Sequence, residues 1–224
     1  MALAQVQALL ARIYTDAEVR ERFFAAPRQV GAEFGLTEEE ARQLGQMSEG
    51  RARFFAESLA RKRAGGVRRL LPLTSRTLGR QFTELFGRHA VEFLPRGHGK
   101  AHQDAVAFAS FLGRMADDGG VVPSLAGLAC YEASRLLSTD PARRLTICWL
   151  PALPEDLVQG ADLGTEAHGK VMRPVIAVWF RPTARSRVRQ VALPIPRRRS
   201  SDAIPAAPSG HVTRLLASPR RWGS

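Results

Sequence analysis

The hydrophobic period of this chain changes once, near Leu145, and that change limits what it can fold into. Before it, apolar residues recur three and four positions apart, the spacing of one-faced helices; after it they alternate or run together, the spacing of strands. A chain that places its helices first and its strands last is expected to be α+β. The expected organisation is an N-terminal helical segment (1–64), a second helical domain (65–140), a small β-containing domain (141–196) and a disordered Arg-rich tail (197–224).

Leu3, Val6, Leu9, Leu10 and Ile13 mark a first helix that should end near Tyr14. Thr15 and Asp16 can then cap a short helix packing Val19, Phe23 and Phe24, and Pro27 opens a third that Gly35 closes. Thr37 and Glu40 have the spacing of a capping box, with Leu44, Met47, Phe54, Phe55 and Leu59 in the helix behind them. Gly45 and Gly50 are placed to bend or interrupt that helix, and Gly65-Gly66 to break it. In the second group, Thr74 or Ser75 is expected to cap one helix carrying Leu78, Phe82, Leu85, Phe86 and Phe93, ended by Pro95 and Gly97. Another buries Phe108, Phe111, Leu112 and Met115, and Pro123 starts a last one with Leu125, Leu128, Ala129 and Leu136 inward.

Beyond the switch, Leu145, Ile147 and Trp149 alternate with Thr146 and Cys148, which predicts a strand with one well-buried face. Val175 to Phe180 reads as a strand covered on both sides, and Val188 to Leu193 as a third whose alternation slips, so that a bulge is expected. Residues 151–170 read as a loop with one short helix. The tail after Pro196 is too poor in apolar residues to order itself.

The net charge of +12 predicts attraction to nucleic acid, an anionic surface or an acidic protein or peptide. Cys130 and Cys148 both sit among apolar neighbours, as buried free thiols do, so no disulfide framework is expected. No export signal or membrane-length apolar run is present; the expectation is a cytoplasmic protein with no membrane partner.

His98, His102 and Asp104, with His89 and Glu92 before them, have the spacing closest to a metal site. They read better as solvated cap residues, because no cysteine or further carboxylate completes a set nearby. Gly97-His98-Gly99-Lys100 lacks the glycine spacing and lysine-hydroxyl pair of a phosphate cradle, and no standard catalytic signature occurs elsewhere. Glu132, on an apolar helix face, is expected to form an ion pair with an arginine. Arg61-Lys62-Arg63 and Arg68-Arg69 form a basic hinge, read as solvated linker charge or as a weak nucleic-acid patch. An edge strand bearing Arg187-Val188-Arg189 could accept an extended acidic peptide as an added strand, or could simply be protected by its charge.

From Phe82 to Leu137 the chain carries Phe82-Thr83-Glu84-Leu85-Phe86, then Pro95, His102 and Asp104. Phe108-Ala109-Ser110-Phe111-Leu112 and the run from Pro123 to Glu132 follow. This pattern, with Val175 to Arg181 behind it, resembles the non-catalytic partner subunits of multinuclear non-haem iron enzymes that oxidatively modify ribosomally made peptides. The helical region of that family is also labelled a DNA-binding domain. The Asn-rich helix start and the Phe-Pro and glycine segment common in the family do not occur before Phe82.

The resemblance implies an accessory subunit without catalysis or cofactor of its own, the iron being held by the partner enzyme. Its helices would dock on that enzyme, with Phe82, Phe86, His98, His102 and Asp104 as the implied docking residues. Its sheet would hold the precursor's leader peptide through Trp149, Val178, Trp179, Arg181, Arg187, Val188 and Arg189. A DNA-binding regulator using the basic hinge and tail is the alternative expectation.

Overall fold

The computed structural model describes residues 3–153, 155–157 and 173–195, and shows a mainly helical chain with a three-stranded antiparallel sheet near its C-terminus. By internal contact the chain divides into two compact units, Met1–Gly65 with Thr83–Leu94, and Gly66–Phe82 with the chain from Pro95. The loop expected over 151–170 lies mostly outside the described residues, and the Arg-rich tail lies wholly outside them.

In the first unit, α1 (Leu3–Thr15), α2 (Ala17–Ala25), α3 (Pro27–Glu33) and α4 (Glu38–Gly45) follow one another with the expected punctuation. Asp16 accepts from the Val19 amide at the start of α2, and Pro27 is the first residue of α3. The capping box is formed at α4: Thr37 Oγ1 accepts from the Glu40 amide, and the Glu40 carboxylate accepts from the Thr37 amide at 2.9 Å. Leu9, Ile13, Val19, Phe23, Val30 and Leu36 close into one core.

The helix capped by Thr37 is interrupted at Gly45, one of the two glycines placed to do so, and α5 (Glu49–Leu70) starts anew after Ser48. Two other helix boundaries differ from expectation. Helix α5 then runs unbroken through Gly65 and Gly66, because Ala64 and Val67 beside them are buried and that burial outweighs the roughly 1 kcal/mol each glycine costs a helix. The expected helix from Thr74 to Phe93 is two, α6 (Pro72–Leu78) and α7 (Gln81–Glu92), divided by Gly79 at φ +52°.

In the second unit, α8 (Lys100–Asp117) packs along α9 (Pro123–Ser138), and α6 also lies against α9. The sheet has the order β1 (Leu145–Leu150), β2 (Val175–Phe180), β3 (Arg189–Pro194), with α9 against β1 and β2. Its register runs without interruption from Val175 opposite Pro194 to Phe180 opposite Arg189, so the bulge expected in the third strand is absent. Leu128 and Cys130 of α9 pack with Cys148, Leu150, Val175, Ala177 and Trp179 of the sheet.

Among the described residues Glu132 does not form the expected arginine pair. Its carboxylate accepts from the amides of Leu73 (2.9 Å) and Thr74 (2.8 Å) and from the Thr74 hydroxyl (2.7 Å). Helix α6 has no capping side chain of its own, since Leu71 occupies its N-cap. A carboxylate 58 positions along the chain from Thr74 therefore satisfies the orphan amides of its first turn.

Candidate functional site

Helix α9 covers one face of the sheet, and the burial pattern of each strand shows which side chains it covers. In β1 the buried residues are Thr146, Cys148 and Leu150, while Leu145, Ile147 and Trp149 are 55%, 42% and 53% exposed. The buried face of β1 is thus the opposite of the one its residues suggested. The large Ile147 and Trp149 face outward, while the smaller, more polar Thr146 and Cys148 are buried together with Leu150.

The register carries this outward face across all three strands. Leu145 lies opposite Phe180, Ile147 opposite Val178 and Trp149 opposite Ile176. On the far side of β2, Ile176 pairs with Leu193, Val178 with Val191 and Phe180 with Arg189. The three β2 residues are half-buried by their neighbours, and Val191 and Leu193 are 41% and 52% exposed. Eight of these nine positions are apolar and the ninth is Arg189, at one corner with exposed Arg187 and Arg185 close by in sequence. Six-residue strands and three-strand width give a surface of about 20 by 10 Å. Contiguous apolar surface of this kind marks a binding site far more often than the scattered exposed leucines of ordinary surfaces.

The edge of the sheet is a second feature. Among the described residues, β3 pairs with β2 on one side and with no strand on the other. Its last residue is Pro194, compatible with an edge position because proline has no amide to donate.

The seven residues assigned to peptide binding separate into two groups. Trp149, Val178, Arg187 and Arg189 lie on the solvent side. Trp179, Arg181 and Val188 belong to the covered side. The Trp179 indole donates to Gln190 Oε1 at 3.1 Å and its ring lies 5.6 Å from that of Tyr131. Arg181 is buried with its guanidinium donating to the Ser138 carbonyl, and Val188 packs on the core of this unit. Leu145, Ile147, Ile176, Phe180, Val191 and Leu193 complete the outer face and are not among those seven. The available signal was that both faces of β1 are apolar enough to bury.

The residues implied for partner docking are dispersed. Phe82 is fully buried with its ring edge-on to Phe108, and Phe86 is buried beside His89. His98 and His102 are exposed, with Gln103 donating to the His98 carbonyl, and Asp104 is buried in the second turn of α8. Among the described residues no three His, Cys, Asp or Glu side chains converge as metal ligands.

The basic hinge is partly committed to structure. Arg63 donates to the carbonyls of Ala90 and Phe93 and lies over the Phe86 ring, and Arg68 lies over Phe82. Arg61, Lys62 and Arg69 are on exposed turns of α5. An open cleft of about 450 Å³ runs along Pro27, Arg28, Arg42 and Gly45, where Arg42 is held by Glu39. No described helix is long and apolar enough to cross a membrane.

Residues 46–114 are similar to the family described as SCO6045-like, C-terminal domain. The match spans α5 to α7 and most of α8, under a third of the chain, and ends before the sheet. No curated protein matches the chain.

Proposed function

We propose that this chain is a non-catalytic adaptor that binds a multinuclear iron oxidative enzyme and presents to it the leader segment of a ribosomal precursor peptide. In this reading the iron belongs to the partner and the present chain supplies grip. The observation that carries the reading is a sheet whose solvent face is apolar across three strands while β3 is paired on one side. A peptide laid beside β3 gains main-chain hydrogen bonds from the edge that no described strand covers, and its outward side chains extend the exposed face.

The period-two geometry of strands defines what such a peptide should contain. Opposite Val191 and Leu193 it places apolar side chains, and opposite Arg189 an acidic one, each two residues from the next. Arg187 lies a further two positions out and extends the preference for acid. Capture by this edge raises the effective concentration of the residue to be modified without any chemistry in this chain.

The test is selection of displayed random ten-residue peptides on the purified protein, alongside the Arg187→Glu/Arg189→Glu variant. Enrichment of two apolar residues and an acid at alternate positions, with the acid replaced by Lys or Arg in the variant, is the expected result. Identical peptides from both proteins would remove the strand-edge mechanism. Co-purification of an iron-containing subunit tests the other half of the proposal. Duplex-DNA binding that falls steeply with salt, in place of peptide selection, would favour a regulator acting through α5 and the basic tail.

A further inference from the structure

Behind the outer face, on the side covered by α9, the two cysteines of the chain meet. Cys130 Sγ of α9 lies 2.7 Å from Cys148 Sγ of β1. Neither cysteine is in a disulfide, both residues are buried, and 18 positions separate them in sequence. A disulfide bond is about 2.05 Å long, so closure requires the two sulfurs to approach by roughly 0.65 Å. Movement of that size lies within ordinary side-chain motion.

We propose that Cys130 and Cys148 form an oxidisable dithiol, a modification site at which a peroxide or a disulfide-exchange oxidant closes a covalent bond between α9 and β1. With a peroxide the sequence of bonds is balanced. The Cys148 thiolate attacks one peroxide oxygen, the O–O bond breaks, and the departing hydroxide takes up the proton released when Cys148 ionised and becomes water. The Cys130 sulfur then attacks the sulfenic sulfur of Cys148, the S–O bond breaks, and the Cys130 proton leaves with the departing hydroxide as a second water. Two thiols are oxidised by two electrons in total, and one peroxide is reduced to two waters.

Cys148 is held below the usual thiol range by the hydrogen bond it shares with Cys130, with burial opposing. Cys130 is held well above that range, first by the same hydrogen bond and then by burial. Cys148 is the attacking thiol in this sequence of bonds and Cys130 the resolving one; exchanging them leaves the product the same, because the two sulfurs share one hydrogen bond in which either can donate. Ser134 stands one helical turn beyond Cys130, fully buried on the same helix. The inference does not depend on the proposed peptide partner.

The experiment uses the full chain, reduced, freed of reductant and treated with hydrogen peroxide or diamide under native conditions. It is then unfolded in the presence of iodoacetamide and weighed intact. The expected product is a monomer about 2 Da lighter than the reduced chain that takes up no alkyl group, where the untreated chain takes up two. Its midpoint for urea unfolding should lie above that of the reduced chain, and a reductant should restore both mass and midpoint. Two alkylated cysteines after oxidant, oxygen adducts on separate thiols, disulfide-linked dimers, or an intramolecular bond that fails to raise the urea midpoint would each overturn the proposal.

Discussion

Replacing Glu132 with alanine removes the acceptor that serves three donors at the start of α6: the amides of Leu73 and Thr74 and the Thr74 hydroxyl. Thr74 is completely buried, so water cannot take over its two bonds, whereas Leu73 is half-buried and can recruit solvent. A buried donor left without a partner costs about 1–3 kcal/mol, and bonds to a charged acceptor lie at the upper end. Two such donors on one residue share a single rearrangement, so their costs do not simply add. The expected loss is about 3 kcal/mol. For a chain of this length, each kcal/mol moves the melting temperature by about 2–4 °C, which gives a drop of roughly 6–12 °C. Urea unfolding followed by the emission of Trp179, buried in the same unit, measures the free energy directly. Glu132→Gln keeps one acceptor oxygen and should lose about half as much. A loss below about 1 kcal/mol in Glu132→Ala would show that α6 does not depend on this remote cap, and the argument would fail.

Two glycines should respond to alanine with opposite signs. At Gly127 of α9 an added Cβ would lie 2.8 Å from Pro151 Cδ and 3.3 Å from Leu157 Cδ2, so crowding should outweigh the helix-propensity gain and destabilise by about 1–2 kcal/mol in urea unfolding. At Gly65 nothing lies within 4 Å, and the same substitution should stabilise by about 0.5–1 kcal/mol. The Glu39 carboxyl is lowered from 4.5 to about 2 by its bond to Arg42 and then by that to Gln43. Because the folded value lies below the unfolded one, the contribution of this ion pair is complete above pH 4.5 and is lost as pH falls through about 2. An NMR titration should show the Glu39 carboxyl returning towards its ordinary value in Arg42→Ala.

Where a local rule alone decided the structure, the sequence was sufficient. The Thr37 and Glu40 capping box, the Asp16 cap and the prolines at the first positions of α3 and α9 act within one turn, and they appear where the residues placed them. Two misread features share a different cause. Gly65 and Gly66 stay helical because Ala64 and Val67 beside them are buried, and Glu132 finds its partners 58 and 59 positions away. Both outcomes depend on tertiary contacts that no local pattern records.

The strand β1 is the instructive case, because both of its faces are apolar enough to be buried, and period two alone cannot say which one is. Hydrophobicity favours hiding Leu145, Ile147 and Trp149; the structure hides Thr146, Cys148 and Leu150. The smaller side chains let α9 approach closely, which is also what brings Cys148 against Cys130. The side chains that could have released the most free energy by burial within this face are left facing outward, at about 25 cal/mol for each Å² still in water. Folding of the described chain does not recover that energy, and association could. The inversion of β1 is therefore the feature that ties fold to proposed function. Changing Trp149, Ile147 and Val191 to threonine should leave the urea midpoint nearly unchanged while abolishing peptide selection, because these side chains contribute little to the described core. A variant that unfolds much earlier than the parent would mean that the face is used in folding itself, and the case for a gripping surface would collapse.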